Sequence, residues 1–260
     1  MRTRTIVALL FCVASTVMAS AQSGLTLYDD FNQKFISPAK WYTQWQCGSP
    51  SVMECEREIQ SNQLRLRVRG YGTSDTNNGN QFGVSEVYLT SARVKDIQAQ
   101  VVVRTSTADT CATNTSGGAH AQALLSGAFF NGGGGTANDD VQAFLQFDRY
   151  STDPAGVVEV GGFLSYQGQF FGNVDLGPVN LAERVVVELA WDQPNHQFVI
   201  SLYKPDDGTF RQQSMPYGAP DITPAVAPFK ILSARVFPAN CLGTRPSADM
   251  EVLFDNVKTK

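Results

Sequence analysis

Most of the chain alternates. In Gln63–Arg69, Leu64, Leu66 and Val68 face one way and Arg65, Arg67 and Arg69 the other. Ile97, Ala99, Val101 and Val103 alternate with Gln98, Gln100, Val102 and Arg104, and Val141, Ala143, Leu145 and Phe147 with Gln142, Phe144, Gln146 and Asp148. A period of two marks a strand with one face turned to a core. Further strands are expected over Val84–Thr90, Ala121–Phe130, Val157–Tyr166, Arg184–Trp191, Gln197–Tyr203, Lys230–Phe237 and Met250–Lys258. Each run is short and bounded by Gly, Pro, Asn or Asp. No stretch carries a 3.6-residue period with caps. The pattern predicts an all-β chain, a sandwich or a barrel.

The first residues stand outside that pattern. Arg2 and Arg4 precede an apolar run, Ile6–Val17, and Ala19-Ser20-Ala21 supplies the small residues of a cleavage site. Residues 1–21 therefore read as a signal peptide and the product as secreted or periplasmic. The apolar run falls short of the ~20 residues a bilayer crossing needs, so no membrane insertion is expected. Residues 22–260 read as one domain: Lys204–Pro228 is rich in Pro, Gly and Asp, but residues 229–260 are too few for a second core.

Charge and cysteines narrow the function classes. The 20 basic against 24 acidic residues give −4, and loss of Arg2 and Arg4 with the leader takes this to −6. A nucleic-acid partner is excluded on that balance, because such binding rests on neutralising phosphates. Of the five cysteines, Cys12 lies in the leader. The other four allow three pairings; Cys47–Cys55 as a local staple and Cys111–Cys241 as a long-range tie are favoured. The only histidines are His120 and His196. Two histidines make a zinc site an unpromising reading, and each reads more readily as a strand or turn residue than as a catalyst. The glycine run in Phe129-Phe-Asn-Gly-Gly-Gly-Gly-Thr-Ala-Asn-Asp-Asp140 lacks the Lys of a phosphate loop. It reads as a flexible hairpin connection solvated by Asp139 and Asp140.

Several short motifs occur in a telling order: Tyr28-Asp-Asp-Phe-Asn32, Pro38 with Lys40-Trp41, Asn62-Gln-Leu-Arg-Leu66, Val187-Glu-Leu-Ala-Trp-Asp192 and the closing Leu253-Phe-Asp-Asn-Val-Lys258. This order resembles the concanavalin A-like lectin/glucanase superfamily, with its laminin G-like and laminarinase-type members. The resemblance implies a jelly-roll β-sandwich of two antiparallel sheets, with first and last strands side by side and one sheet concave. Phe31, Trp41, Leu64, Leu66, Trp191 and Phe254 would then be core. Hydrolases of this kind carry Glu-x-Asp-x-Glu on a concave strand. Glu54-Cys-Glu-Arg-Glu58 has the spacing but stands too early in the chain, and reads as an acidic loop facing Arg65, Arg67 and Arg69. Glu86, Asp148 and Glu159 are lone acids that the sequence does not bring together. The resemblance also implies a structural calcium, with Asp255 as its carboxylate; no other cofactor is required.

The expectation is thus a monomeric, carbohydrate-binding, lectin-like domain without catalysis, its partner a carbohydrate or cell-surface glycan. Gln100, Arg104, Gln142, Phe144, Gln146, Asp148 and Glu159 are the candidate sugar contacts, since amides bond hydroxyls and rings cover C–H faces. Trp45 is a candidate stacking residue. The alternatives are a glycoside hydrolase or polysaccharide lyase, and a structural or protein-binding laminin G-like module.

Overall fold

The computed structural model describes residues 24–44, 47–48, 52–114 and 118–260; the signal-peptide reading of 1–21 and the reading of Trp45 lie outside them. The strands in chain order are β1 (Thr26–Asp29), β2 (Trp41–Tyr42), β3 (Met53–Gln60), β4 (Gln63–Tyr71), β5 (Gly83–Leu89), β6 (Asp96–Ala108), β7 (His120–Asn131) and β8 (Asp140–Tyr150). They continue with β9 (Val157–Tyr166), β10 (Gln169–Asn180), β11 (Arg184–Asp192), β12 (Gln197–Tyr203), β13 (Phe210–Pro216), β14 (Thr223–Phe237) and β15 (Ser247–Thr259). The first sheet runs β13-β12-β11-β6-β15-β4-β3, with β1 also on β15; the second runs β10-β9-β8-β7-β14-β5-β2. All the recorded pairings are antiparallel. The chain is a two-sheet sandwich with its first and last strands paired, as the resemblance implies.

The alternation explains the packing. Leu64, Leu66 and Val68 lie opposite Phe254, Val252 and Met250 across β4 and β15, and all six are buried. Ala143, Leu145 and Phe147 of the second sheet join them in one core cluster with Ile97, Ala99, Val101 and Val103 of the first. Burial of side chains of the Val, Leu or Phe type is worth roughly 1.5–3 kcal/mol each. Trp41 is buried, its indole N–H given to Asp29 at 2.6 Å, while Trp191 is only partly buried at the core's end.

Edges are protected by charge. Glu54, Glu56 and Glu58 lie on edge strand β3, not in a loop as the sequence reading had it, opposite Arg69, Arg67 and Arg65. Arg69 pairs with Glu54, and Arg65 with Glu56, with Glu58 at 2.9 Å and with Glu251 at 2.9 Å. Arg67 takes Asp249 at 2.6 Å. This ladder leaves β3 an edge that a second chain cannot easily extend. Both favoured disulfides are present, Cys47–Cys55 and Cys111–Cys241. Among the described residues no helix is long and apolar enough to cross a membrane.

Candidate functional site

The outward face of the second sheet concentrates the polar chemistry. Its residues fall into cross-strand rows because strand partners sit directly opposite one another. One row passes from Tyr42 through Tyr88, Ile231, Ser126 and Phe144 to Phe163. At its ends Tyr42 stacks on Tyr88 at 5.2 Å and Phe144 on Phe163 at 4.5 Å. Six residues further along the strands, Phe237, His120 and Tyr150 form a second aromatic row, with ring centroids 4.0 and 5.2 Å apart.

Two polar rows run between them. The first holds Glu86, Ser233, Leu124, Gln146 and Gly161; the second holds Arg235, Gln122, Asp148 and Glu159. Ser126 Oγ, Ser233 Oγ, Gln146 Oε1, Asp148 Oδ1 and Arg235 Nε are buried without a hydrogen-bond partner. Buried polar groups of this kind ordinarily find a partner, so five on one face require a reason.

The electrostatics follow from burial. Asp148 is 5% exposed, and desolvation lifts its carboxyl to about 7, against a lowering hydrogen bond from Gln122. Burial also raises Glu86, whose Oε1 accepts from Tyr88 Oη at 2.7 Å and whose Oε2 lies 3.9 Å from Arg235. Glu159 is raised by burial and then by the Asp175 and Asp153 charges. Three acids against the single guanidinium of Arg235 make the band unwelcoming to an anionic ligand.

Gln142, Phe144, Gln146, Asp148 and Glu159 therefore share one face. Gln100 and Arg104 do not join them: β6 belongs to the first sheet, so both point out on the far side of the sandwich. Arg104 there donates to Gln60 at 2.8 Å and lies 3.6 Å from Glu251, within the charge ladder. Asp148 and Glu159 are direct cross-strand partners, a meeting the sequence could not show; Glu86 stands three strands away from Asp148. His120 belongs to the aromatic row, and burial lowers its pKa. His196 sits in a turn at φ 49° with Nδ1 3.0 Å from Asp221.

The glycine run is braced rather than loose. Asn131 Oδ1 accepts from Gly133 and Gly135 N–H, its amide donates to Thr136 O and Asp140, and Gly133 and Gly135 supply φ of 111° and 76°. Asp139 accepts from the Thr136 N–H and hydroxyl and from Gln167. Asp140, far from solvating the turn, is buried and takes the Val226 and Ala227 N–H groups that a bulge in β14 leaves free.

Asp255 is half-buried beside a bulge in β15 and bonds the Asn256 N–H at 2.7 Å. Burial raises its carboxyl, and the Asp30 and Asp29 charges raise it further. Asp29 is committed to Lys40 and Trp41, and Asp30 to Asn32. Among the described residues no group of three or more His, Cys, Asp or Glu is placed to hold a metal. A calcium here would draw most of its six to eight oxygens from backbone and water.

No protein-family model matches the sequence, and no curated protein matches it. Several solved structures are similar in shape. Lectin II from Ulex europaeus is 10% identical, with 83% of this chain and 96% of that chain covered at a TM-score of 0.36. A GlcNAcα1-4Gal-releasing endo-β-galactosidase from Clostridium perfringens is 9% identical, covering 92% and 63% at 0.46. The CBM2 module of an evolved Dit from Lactobacillus casei BL23 phage J-1 is 12% identical, covering 87% and 94% at 0.42. Identities near a tenth say nothing of ligand or activity.

Proposed function

We propose that the chain is an exported carbohydrate-binding domain, a monomer, that lays a neutral glycan along the polar band of the second sheet. The observation that carries this reading is the set of four unpartnered polar atoms, on Ser233, Gln146, Asp148 and Arg235, between two aromatic rows. Sugar hydroxyls both donate and accept, so they suit a mixture of Ser, Gln, Asp and Arg groups. The partly exposed ring of Phe144 offers apolar surface to the sugar's C–H face. The excess of acids argues for a neutral chain over a uronate- or sulfate-bearing one. The expected result is binding on a neutral-glycan array, weakened about tenfold or more by Phe144→Ala and by Gln146→Ala while the thermal midpoint stays within a few degrees. Unchanged affinity in both variants, or no neutral glycan bound, would sink the reading.

One observation favours cleavage as a second reading. Asp148, its carboxyl lifted to about 7 by burial, faces Glu159 across adjacent strands, where Cβ atoms lie roughly 4.5–5.5 Å apart. Retaining glycosidases hold two carboxyls roughly 5–5.5 Å apart, one of them a proton donor. Reducing-sugar release lost in both Asp148→Asn and Glu159→Gln would favour it; binding without release favours the first reading. The calcium proposal has its own check. Calcium added to chelator-treated protein is expected to raise the thermal midpoint, and Asp255→Asn to abolish that response.

A further inference from the structure

A cavity of about 280 Å3 opens at the end of the sandwich where the two sheets part. Trp191 enters it from the end of β11 and Phe129 from the end of β7, with Arg93, Gln193 and Thr223 around the mouth. It shares none of its residues with the polar band. We propose that this cavity is a second binding site, one that takes a single acidic sugar, a uronic acid, with its carboxylate on Arg93 and its ring against Trp191.

Size sets the first limit. Ligand pockets commonly run to about 300–1,000 Å3, so this one accommodates one ring and not an oligosaccharide. Rigidity supports a platform. Trp191 stacks on Phe130 at 5.2 Å and donates its indole N–H to Tyr217 Oη at 2.7 Å, and Tyr217 donates in turn to Asp221 at 2.6 Å. The indole is thus fixed from behind, and what it shows the cavity does not need ordering when a ligand arrives.

Charge decides the ligand class. Arg93 has no hydrogen-bond or ion-pair partner among the described residues. Lys95 adds a second cation, 5.2 Å from the Trp191 ring centre and 3.1 Å from Gln193 Oε1. The one acid in the wall, Asp221, is buried and already accepts from Tyr217 and His196. The lining therefore offers one cation, Arg93, with Lys95 beside it on Trp191 and Gln193, and no uncommitted anion. A guanidinium matches a carboxylate with two parallel hydrogen bonds, the strongest arrangement available to it. A bare anion would leave the part of the Trp191 ring that lines the cavity uncovered, while a neutral sugar would leave Arg93 unpaired. The Thr223 hydroxyl and the rings suit the remainder of a sugar acid. The two sites thus sort ligands by charge, neutral on the acid-rich band and anionic in the basic cavity.

Calorimetric titration of the full mature chain with galacturonate, galactose and inorganic phosphate tests this. Galacturonate is expected to bind at least about tenfold more tightly than galactose or phosphate, and Arg93→Ala to weaken it by about tenfold or more. Thr223→Val should weaken it less, and neither change should alter binding of a neutral oligosaccharide to the band. No heat with galacturonate, equal affinity for galactose, phosphate binding as tight as galacturonate, or an unaffected Arg93→Ala variant would each overturn the proposal. Because the neutral oligosaccharide is measured on the same samples, failure of the cavity and failure of the band are read separately.

Discussion

Replacing Cys111 and Cys241 together by alanine is expected to lower stability by about 5 kcal/mol, against about 2.6 kcal/mol for Cys47 with Cys55. The difference comes from loop length. The first bond closes a separation of 130 residues and the second one of 8, and the entropy that a crosslink removes from the unfolded chain grows with the logarithm of the loop. The long-range bond also fastens the loops at the end of β6. Cys241 is fully buried in a small cluster with Ala108, Ala119 and Ala239, away from the main core. Around it Asn240 accepts from Thr73 and Gln81, and Asn114 donates to the Gly79 and Asn240 carbonyls. The cluster around Cys241 is small, so the crosslink and these hydrogen bonds hold the loops together. Urea midpoints of both double variants and the oxidised parent chain provide the measurement. The Cys111/Cys241 variant should melt about 10–20 °C lower than the parent. A variant lacking the long-range bond that is as stable as one lacking the short bond would refute the argument.

The strands with strict alternation were legible, and those without it were not. Val157–Tyr166 and Gln197–Tyr203 match the observed β9 and β12 to the residue. β3 was hidden because its outward positions are Glu and its inward ones include Cys55 and Arg57, which look like a loop. β10 was hidden by Gly172, Gly177 and Pro178 and by two breaks in its register with β9. The polar edge strand β13, Phe210–Pro216, offers only Met215 as a fully buried apolar residue. β14 begins at Thr223, seven residues before its alternation does. Its bulge is satisfied by Asp140, more than eighty positions earlier, and no local rule could anticipate that partner.

The candidate site was legible one strand at a time. Alternation placed Gln142, Gln146 and Asp148 on a polar face correctly, but it could not say which strands lie beside which. Gln100 and Arg104 carry the same pattern and lie on the other sheet. Glu86, Ser233 and Arg235 were missed as site residues, though Ile231, Ser233, Arg235 and Phe237 alternate with Lys230, Leu232, Ala234 and Val236 as plainly as any run. Their role depends on the β5-β14-β7-β8 order, which joins segments far apart in the chain. Trp191 read as core because the motif it belongs to is a packing motif; one side of its ring meets Phe130 and another the cavity.

Stability is expected to pass through a dip near pH 7, where most proteins approach their maximum. Two buried groups set it. Burial lifts the Asp148 carboxyl from 3.8 to about 7. Between those values the folded chain holds a proton that the unfolded chain has released, so stability falls as pH rises, by roughly 1.4 kcal/mol per unit and about 4 kcal/mol across the window. Burial also lowers the Lys230 amine from 10.5 to about 7. From pH 7 to 10.5 the unfolded chain holds the extra proton, so stability rises with pH, by about 5 kcal/mol in all. Among the described residues no carboxylate pairs with this lysine. Its Nζ bonds the Ala92 and Ala128 carbonyls at 3.0 and 2.9 Å and lies 3.9 Å from the Phe129 ring centre, and a Cβ at Gly127 would stand 2.2 Å from its Cδ. Above pH 10 the buried Tyr88 and Tyr217, both raised by desolvation, turn the curve down again. Urea midpoints at pH 4.5, 7 and 9.5 trace the shape, and two substitutions assign its limbs. Asp148→Asn should flatten the fall between pH 4.5 and 7. Lys230→Met leaves two carbonyls unpaired, which shifts the whole curve, but it should remove the rise between pH 7 and 9.5. Because the readout is slope and not height, an incidental loss of stability in either variant does not obscure it. A parent chain most stable near pH 7, with limbs unmoved by both substitutions, would show that neither group is held in the state its burial imposes.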